Sequence, residues 1–218
     1  MDYILHLFET FISSFSLFQK GALVTIELTV VSIIVAVIVG LGLALLRRLG
    51  GKFLEKLIAA YVNLVRGTPL VVQIFVLYFG LTELIRLTPF FSASLALAFH
   101  TAAYISEIFR SAMNAIPKGQ MEAAKSLGMS RALSYRKIIL PQAWLRAIPG
   151  IGNQAIITLK DSSLAGLISM NEIFNVATTQ GANHFDQMTF LLVGAVYYLV
   201  LVLILTWIVS KIEKKLSF

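Results

Sequence analysis

The chain has 218 residues, 58% of them hydrophobic and 13% charged, with a formal net charge of +7 and a mean hydropathy of +0.84. A soluble globular domain carries roughly 25% charged residues, so lipid is the expected solvent. The absence of cysteine excludes disulfides, thiolate catalysis and cysteine-ligated metals, and the basic residues sit between and after apolar runs rather than in the continuous tract that nucleic acid would ask for.

A helix needs roughly 20 apolar residues to cross the hydrocarbon core, so one membrane domain over residues 1–218 has room for about five spans. Residues 1–19 carry Asp2 and Glu9 and lack a basic start with a small-residue cleavage site, which predicts an amphipathic lead-in helix rather than a cleaved signal. Span one is expected at 21–46, closed by Arg47 and Arg48. Within it Ala36, Gly40 and Ala44 recur every four residues, a spacing that admits a neighbouring helix closely.

An amphipathic stretch, 53–65, then leads into Arg66-Gly67-Thr68-Pro69, and span two is expected at 69–86. Either Thr68 caps a helix whose first residue is Pro69, or Gly67 and Pro69 kink one continuous helix. Span three follows the turn signal Thr88-Pro89, at 92–113. After a polar loop, 114–142, come a less apolar span four at 143–170 and a clean span five at 188–209.

Cytoplasmic loops are enriched in Lys and Arg. The basic residues from Arg47 to Arg66, from Arg110 to Arg146 and from Lys211 to Lys215 share one side if the N-terminus is outside, leaving only Lys20 and Arg86 on the other. That arrangement needs an odd number of spans. The expected fold is therefore all-α, about five transmembrane helices with a cytoplasmic loop between spans three and four, its N-terminus outside and its C-terminus inside.

The loop reads Glu122-Ala123-Ala124-Lys125-Ser126-Leu127-Gly128, nine further residues, then Ile138-Ile139-Leu140-Pro141. A short helix over 118–127, a left-handed stop at Gly128 and a second helix capped by Ser130 and ending before Pro141 would form a knob. Small Ala123 and Ala124 on one face and charges on the other suit a groove on a cytoplasmic partner. The spacing resembles the EAA loop of permease subunits of ATP-binding-cassette importers. Arg66-Gly67-Thr68-Pro69-Leu70 with Gln73, residues 103–110 and residues 160–164 look like those of permeases for polar amino acids. His100 departs from that pattern, which more often has asparagine.

The resemblance implies that Glu122, Ala123, Ala124, Ser126, Leu127, Gly128 and Pro141 couple the chain to an ATPase. Its implied partners are two cytoplasmic ATPase subunits, which hold ATP and Mg, a second permease subunit and an extracytoplasmic solute-binding protein, at a prokaryotic inner membrane. It also implies alternating access between two permease subunits. The loops at 83–92 and 171–187 are the expected receivers of the binding protein. No phosphate-binding glycine loop occurs in the sequence, so hydrolysis is expected on another chain. His6, His100 and His184 lack metal-ligand spacing, and no resident cofactor or metal is expected.

Ionisable residues inside a span mark functional sites by default. Lys160 is the candidate for the α-carboxylate of an amino acid and Asp161 or Glu107 for its ammonium group, with His100 nearby; an internal ion pair is the competing role, and Glu107 lies one turn from Arg110. Adjacent Lys160 and Asp161 diverge on an ideal helix, which leaves open a partner helix, a distortion near residues 149–152 or a shared water-filled cavity. Glu27, Glu172 and Asp186 are expected at the outer side, where they either meet an extracytoplasmic binding protein or face water, water being the expected role. A rival mechanism, an ion-coupled carrier or channel, would use Lys160, Asp161 and Glu107 as a relay.

Overall fold

Lipid reverses the usual helix pattern: large apolar side chains face outward, and small or weakly polar ones face the bundle, where they let backbones approach. The computed structural model, which describes residues 2–216, shows that reversal along its second helix. After α1 (Asp2–Ser13), helix α2 (Phe15–Leu49) buries Gly21, Thr25, Thr29, Ser32, Ala36, Gly40 and Ala44 in one stripe. Ile34 and Ile38 on its other side are largely exposed. The expected lead-in helix is thus present from Asp2, Met1 lying outside the described residues, and the expected span 21–46 lies inside α2.

Gly51, at φ +83°, turns the chain into α3 (Gly51–Gly67), which buries Ile58, Val62 and Val65 at helical spacing. Thr68 precedes a proline and is extended (φ −118°, ψ 145°), and the chain bends by 104° before α4 (Leu70–Phe75) and a π turn (Val76–Gly80). Neither expected geometry holds here. Pro69 is itself extended and outside the helix, and the Thr68 hydroxyl donates back to the Leu64 carbonyl at 2.9 Å, closing α3 instead of capping α4. Of the expected span two, helix covers Leu70 to Gly80, about 16 Å at 1.5 Å per residue, or half the hydrocarbon core.

Thr88 caps α5 (Pro89–Asn114), as the turn signal predicts, accepting from the Phe91 amide at 3.3 Å. This central helix packs its small residues on α2 and on α8 (Leu140–Asp161); Ser32 donates to the Ser94 carbonyl, and Thr101 and Thr158 share a hydrogen bond of 2.9 Å. Between α5 and α8 lie α6 (Lys118–Ser126), α7 (Arg131–Ser134) and a π turn (Tyr135–Ile139) that runs straight into α8. The second loop helix therefore does not end before Pro141. The wider π turn opens the backbone where the proline ring would meet the Lys137 carbonyl, and Pro141 enters α8 in its first turn.

A distortion around residues 149–152, one of the three options left open, does not interrupt α8, which runs on through Pro149 as helix. The interruption comes after Asp161, where the chain tightens into a 3-10 helix (Ser162–Ile168) and Ser169 turns left-handed at φ 63° before α9 (Ile173–Asn183). A corner at Phe185 (φ 52°) leads to α10 (Gln187–Leu216). Among the described residues α2 and α10 are each long and apolar enough to cross a bilayer alone, and bent α3–α4 forms a third such unit. Glu172, expected in water, is fully buried: it caps α9.

Candidate functional site: a helical knob and a broken span

The knob forms because its punctuation is local. Gly128 adopts φ +73°, its amide donates to Lys125 O at 2.9 Å, and the Met129 amide donates to Ala124 O at 3.1 Å, the paired bonds that satisfy the last carbonyls of a helix. Ser130 then starts the next helix by accepting from the Leu133 amide. Ala123 and Ala124, expected on one face, are divided: Ala124 is buried, whereas Ala123, Glu122, Ser126 and Leu127 are exposed. Leu127 leaves 81% of its surface uncovered, an apolar tip on a charged knob.

Behind the knob, Gln142 donates to the Gln120 side chain at 2.5 Å, and Met121 packs on the cluster that holds Tyr135 and Ile139. Tyr135 is buried, and its hydroxyl accepts from Arg48 Nε at 2.6 Å. Arg131 donates to the Arg48 carbonyl at 2.6 Å. One residue earlier, Arg47 donates to Glu107 Oε1 at 2.6 Å, while Arg110 holds Glu107 Oε2. Both carboxylate oxygens of Glu107 are thus engaged by guanidinium groups, the competing role weighed for it. Sequence spacing reveals the Arg110 contact; Arg47 and Tyr135, 60 and 87 residues away from their partners, leave no local signal.

His100 and Tyr104 lie one turn apart on α5 and face the bend between α3 and α4. His100 Nδ1 is 3.1 Å from Gln73 Oε1, and the Gln73 amide donates to the carbonyls of Val65 and Thr68 and to the Thr68 hydroxyl. Arg66 lies over the Tyr104 ring at 4.9 Å. Gln73 thus supplies donors to carbonyls that the broken helix leaves free, a role that a lone amide in an apolar run already hints at.

Across α5, Thr158 contacts Thr101 next to His100. Asp161, three residues on, lies on the same side of α8 and is half-buried, whereas Lys160 points away and is exposed. Among the described residues no ion pair joins Lys160 to Asp161. Lys160 occupies the last turn of α8, where the helix dipole favours a cation, and Ser162 and Ser163 hydroxyls donate to the carbonyls of Leu159 and Lys160. The break therefore presents a cation and an acid on diverging faces.

Residues 13–218 match the family model described as the binding-protein-dependent transport system inner membrane component. The chain belongs to that family. This permease is 36% identical to the arginine transport system permease protein ArtQ of Bacillus subtilis over 91% of either chain. It is 34% identical to the glutamine transport system permease protein GlnP of Escherichia coli over 91% of this chain and 92% of that one. Among solved structures, an amino acid ABC transporter chain crystallised with histidines superposes with a TM-score of 0.88 at 31% identity, covering 95% of this permease and 98% of that chain. A chain of the methionine transporter MetNI superposes at 0.82 with 19% identity, a likeness of fold. The permease is a multi-pass inner-membrane component of a transport system that works with a binding protein, and hydrolysis of ATP falls to a separate subunit.

Proposed function

We propose that this permease is one of two membrane subunits of an ATP-driven importer of polar amino acids, working by alternating access with its N-terminus outside. Two cytoplasmic ATPase subunits, carrying ATP and Mg, dock on α6 around Glu122, Ala123, Ser126 and Leu127, and an extracytoplasmic binding protein delivers the solute. The observation that carries the reading is the knob itself: a helix of nine residues stopped by left-handed Gly128 and tipped with exposed Leu127. The amino-acid class is supported by the relatives named for arginine and glutamine. It is supported too by the break after Asp161, since a zwitterion asks for one charge of each sign and interrupted helices are where transporters place such groups. Asp161, on the Thr101 side of α8, takes the ammonium group, with His100 and Gln73 as a wall beyond Thr101, and Lys160, exposed on the diverging face, reaches the carboxylate with its long flexible side chain from the end of α8.

Reconstitution with the ATPase and binding protein in liposomes tests both halves. Lys160→Ala is expected to cut amino-acid uptake by an order of magnitude or more, about the loss of one charge-assisted contact, while the ATPase still co-purifies. Gly128→Val, which forces a β-branched residue into the left-handed region, is expected to lose the ATPase instead. Uptake unchanged in Lys160→Ala removes the pocket, and full ATPase binding by Gly128→Val removes the docking site.

A further inference from the structure

Motion entering at α6 has to reach the spans, and the fold gives the knob a specific grip on α2. The segment 131–139 meets α6 through Met121, and the Gln120–Gln142 bond ties α6 to the first turn of α8 just beyond that segment. That segment holds Arg48 twice, by its side chain through the Tyr135 hydroxyl and by its carbonyl through Arg131. The preceding residue, Arg47, passes the connection on to α5 through Glu107, whose second oxygen holds Arg110. Arg48 thus stands where the knob meets the last turn of α2, next to the residue that ties α2 to α5.

We propose that Arg48, gripped by Tyr135 and Arg131, is the joint through which movement of the coupling helix is transmitted to the transmembrane helices. Arg48 and Tyr135 are positioning residues, neither meeting nucleotide nor solute. The joint accounts for a tyrosine in a cluster otherwise made of apolar side chains: its hydroxyl is the group that accepts from Arg48. The proposal rests on the docking of α6 on the ATPase.

The decisive variant is Tyr135→Phe, which removes one oxygen and leaves the packing in place. In the complete complex of permease, ATPase and binding protein in lipid nanodiscs or liposomes, it is expected to lower the solute moved per ATP hydrolysed by about three- to tenfold, with the ATPase still bound. Arg48→Met is expected to do the same, the double variant to be no worse than either single one, and Arg48→Lys, which keeps a donor, to recover much of the ratio. Hydrogen–deuterium exchange with and without ATP separates the joint from its premise. Wild type is expected to show ATP-dependent changes both in residues 118–128 and at the α2 terminus, and Tyr135→Phe only in 118–128. A wild-type ratio in Tyr135→Phe overturns the joint, as does loss of the bound ATPase, which would make the hydroxyl part of the docking surface. If ATP leaves 118–128 unchanged even in wild type, the docking premise has failed and the joint with it.

Discussion

Two carboxylates show how differently the two ends of this permease handle charge. Glu172, between α8 and α9, has no surface exposed; it accepts from the backbone amides of Phe174 and Asn175 at 2.8 and 2.7 Å and from the Tyr198 hydroxyl at 2.5 Å. Glu107, at the opposite end near the knob, is partly open and held by the side chains of Arg47 and Arg110. Backbone amides cannot leave their helix, whereas long arginine side chains can change partners. The Glu172 end is therefore a fixed anchor for the start of α9 after the break in α8, and the Glu107 end a set of contacts suited to rearrangement.

Removing the anchor is expected to have the largest effect. Glu172→Ala takes away a helix cap and the carboxylate acceptor of the Tyr198 hydroxyl, an expected loss of about 2–4 kcal/mol of stability, and Glu172→Gln should recover roughly half. Unfolding of the purified protein in detergent measures both, and a variant as stable as wild type would erase the contrast. At the other end, Glu107→Ala leaves two arginines near water, with an expected loss of about 1–2 kcal/mol. That loss should shrink as salt is raised, and salt independence would mark the site as another rigid anchor.

The smallest effect is expected where α1 meets the corner between α9 and α10. His6 Nε2 lies 2.7 Å from Asp186, and that hydrogen bond holds the Asp186 carboxyl below the usual carboxylate range. A depressed acid stabilises the fold above its unfolded pKa, about 3.9, and stops doing so as pH falls through the lower folded value. The difference between wild type and His6→Ala should accordingly be slight near neutrality and vanish in acid. A difference that persists once pH has fallen below the folded pKa of Asp186 would assign the contact another role.

Much of this was written in short-range signals. Thr88-Pro89, Gly128 and Ser130 act within a turn, and each does in the fold what its chemistry predicts. The small stripe at Ala36, Gly40 and Ala44 is likewise buried, because tight packing in lipid depends on residue size alone. The ends of elements near prolines were less legible. Pro141 and Pro69 limit the local backbone without deciding whether a π turn or an extended break absorbs the restriction. Contacts that depend on tertiary meeting left no trace in spacing: Arg48 with Tyr135, His6 with Asp186, and the burial of Glu172, which a glutamate after a polar stretch gives no reason to expect. For the pocket, the residues were legible and their directions were not, since Lys160 and Asp161 diverge at a break that hydropathy does not mark.

Gly40 carries a consequence for anyone redesigning the chain. A methyl group at that position would stand 2.8 Å from Ile105 Cγ2 and 2.9 Å from the Ala102 carbonyl oxygen, and a backbone oxygen cannot step aside. Neither α2 nor α5 can be rolled or slid past the other without driving a bulkier residue into that gap. The pair is a mast to which the rest of the bundle is rigged, and the freedom this permease needs belongs to the elements hung from it.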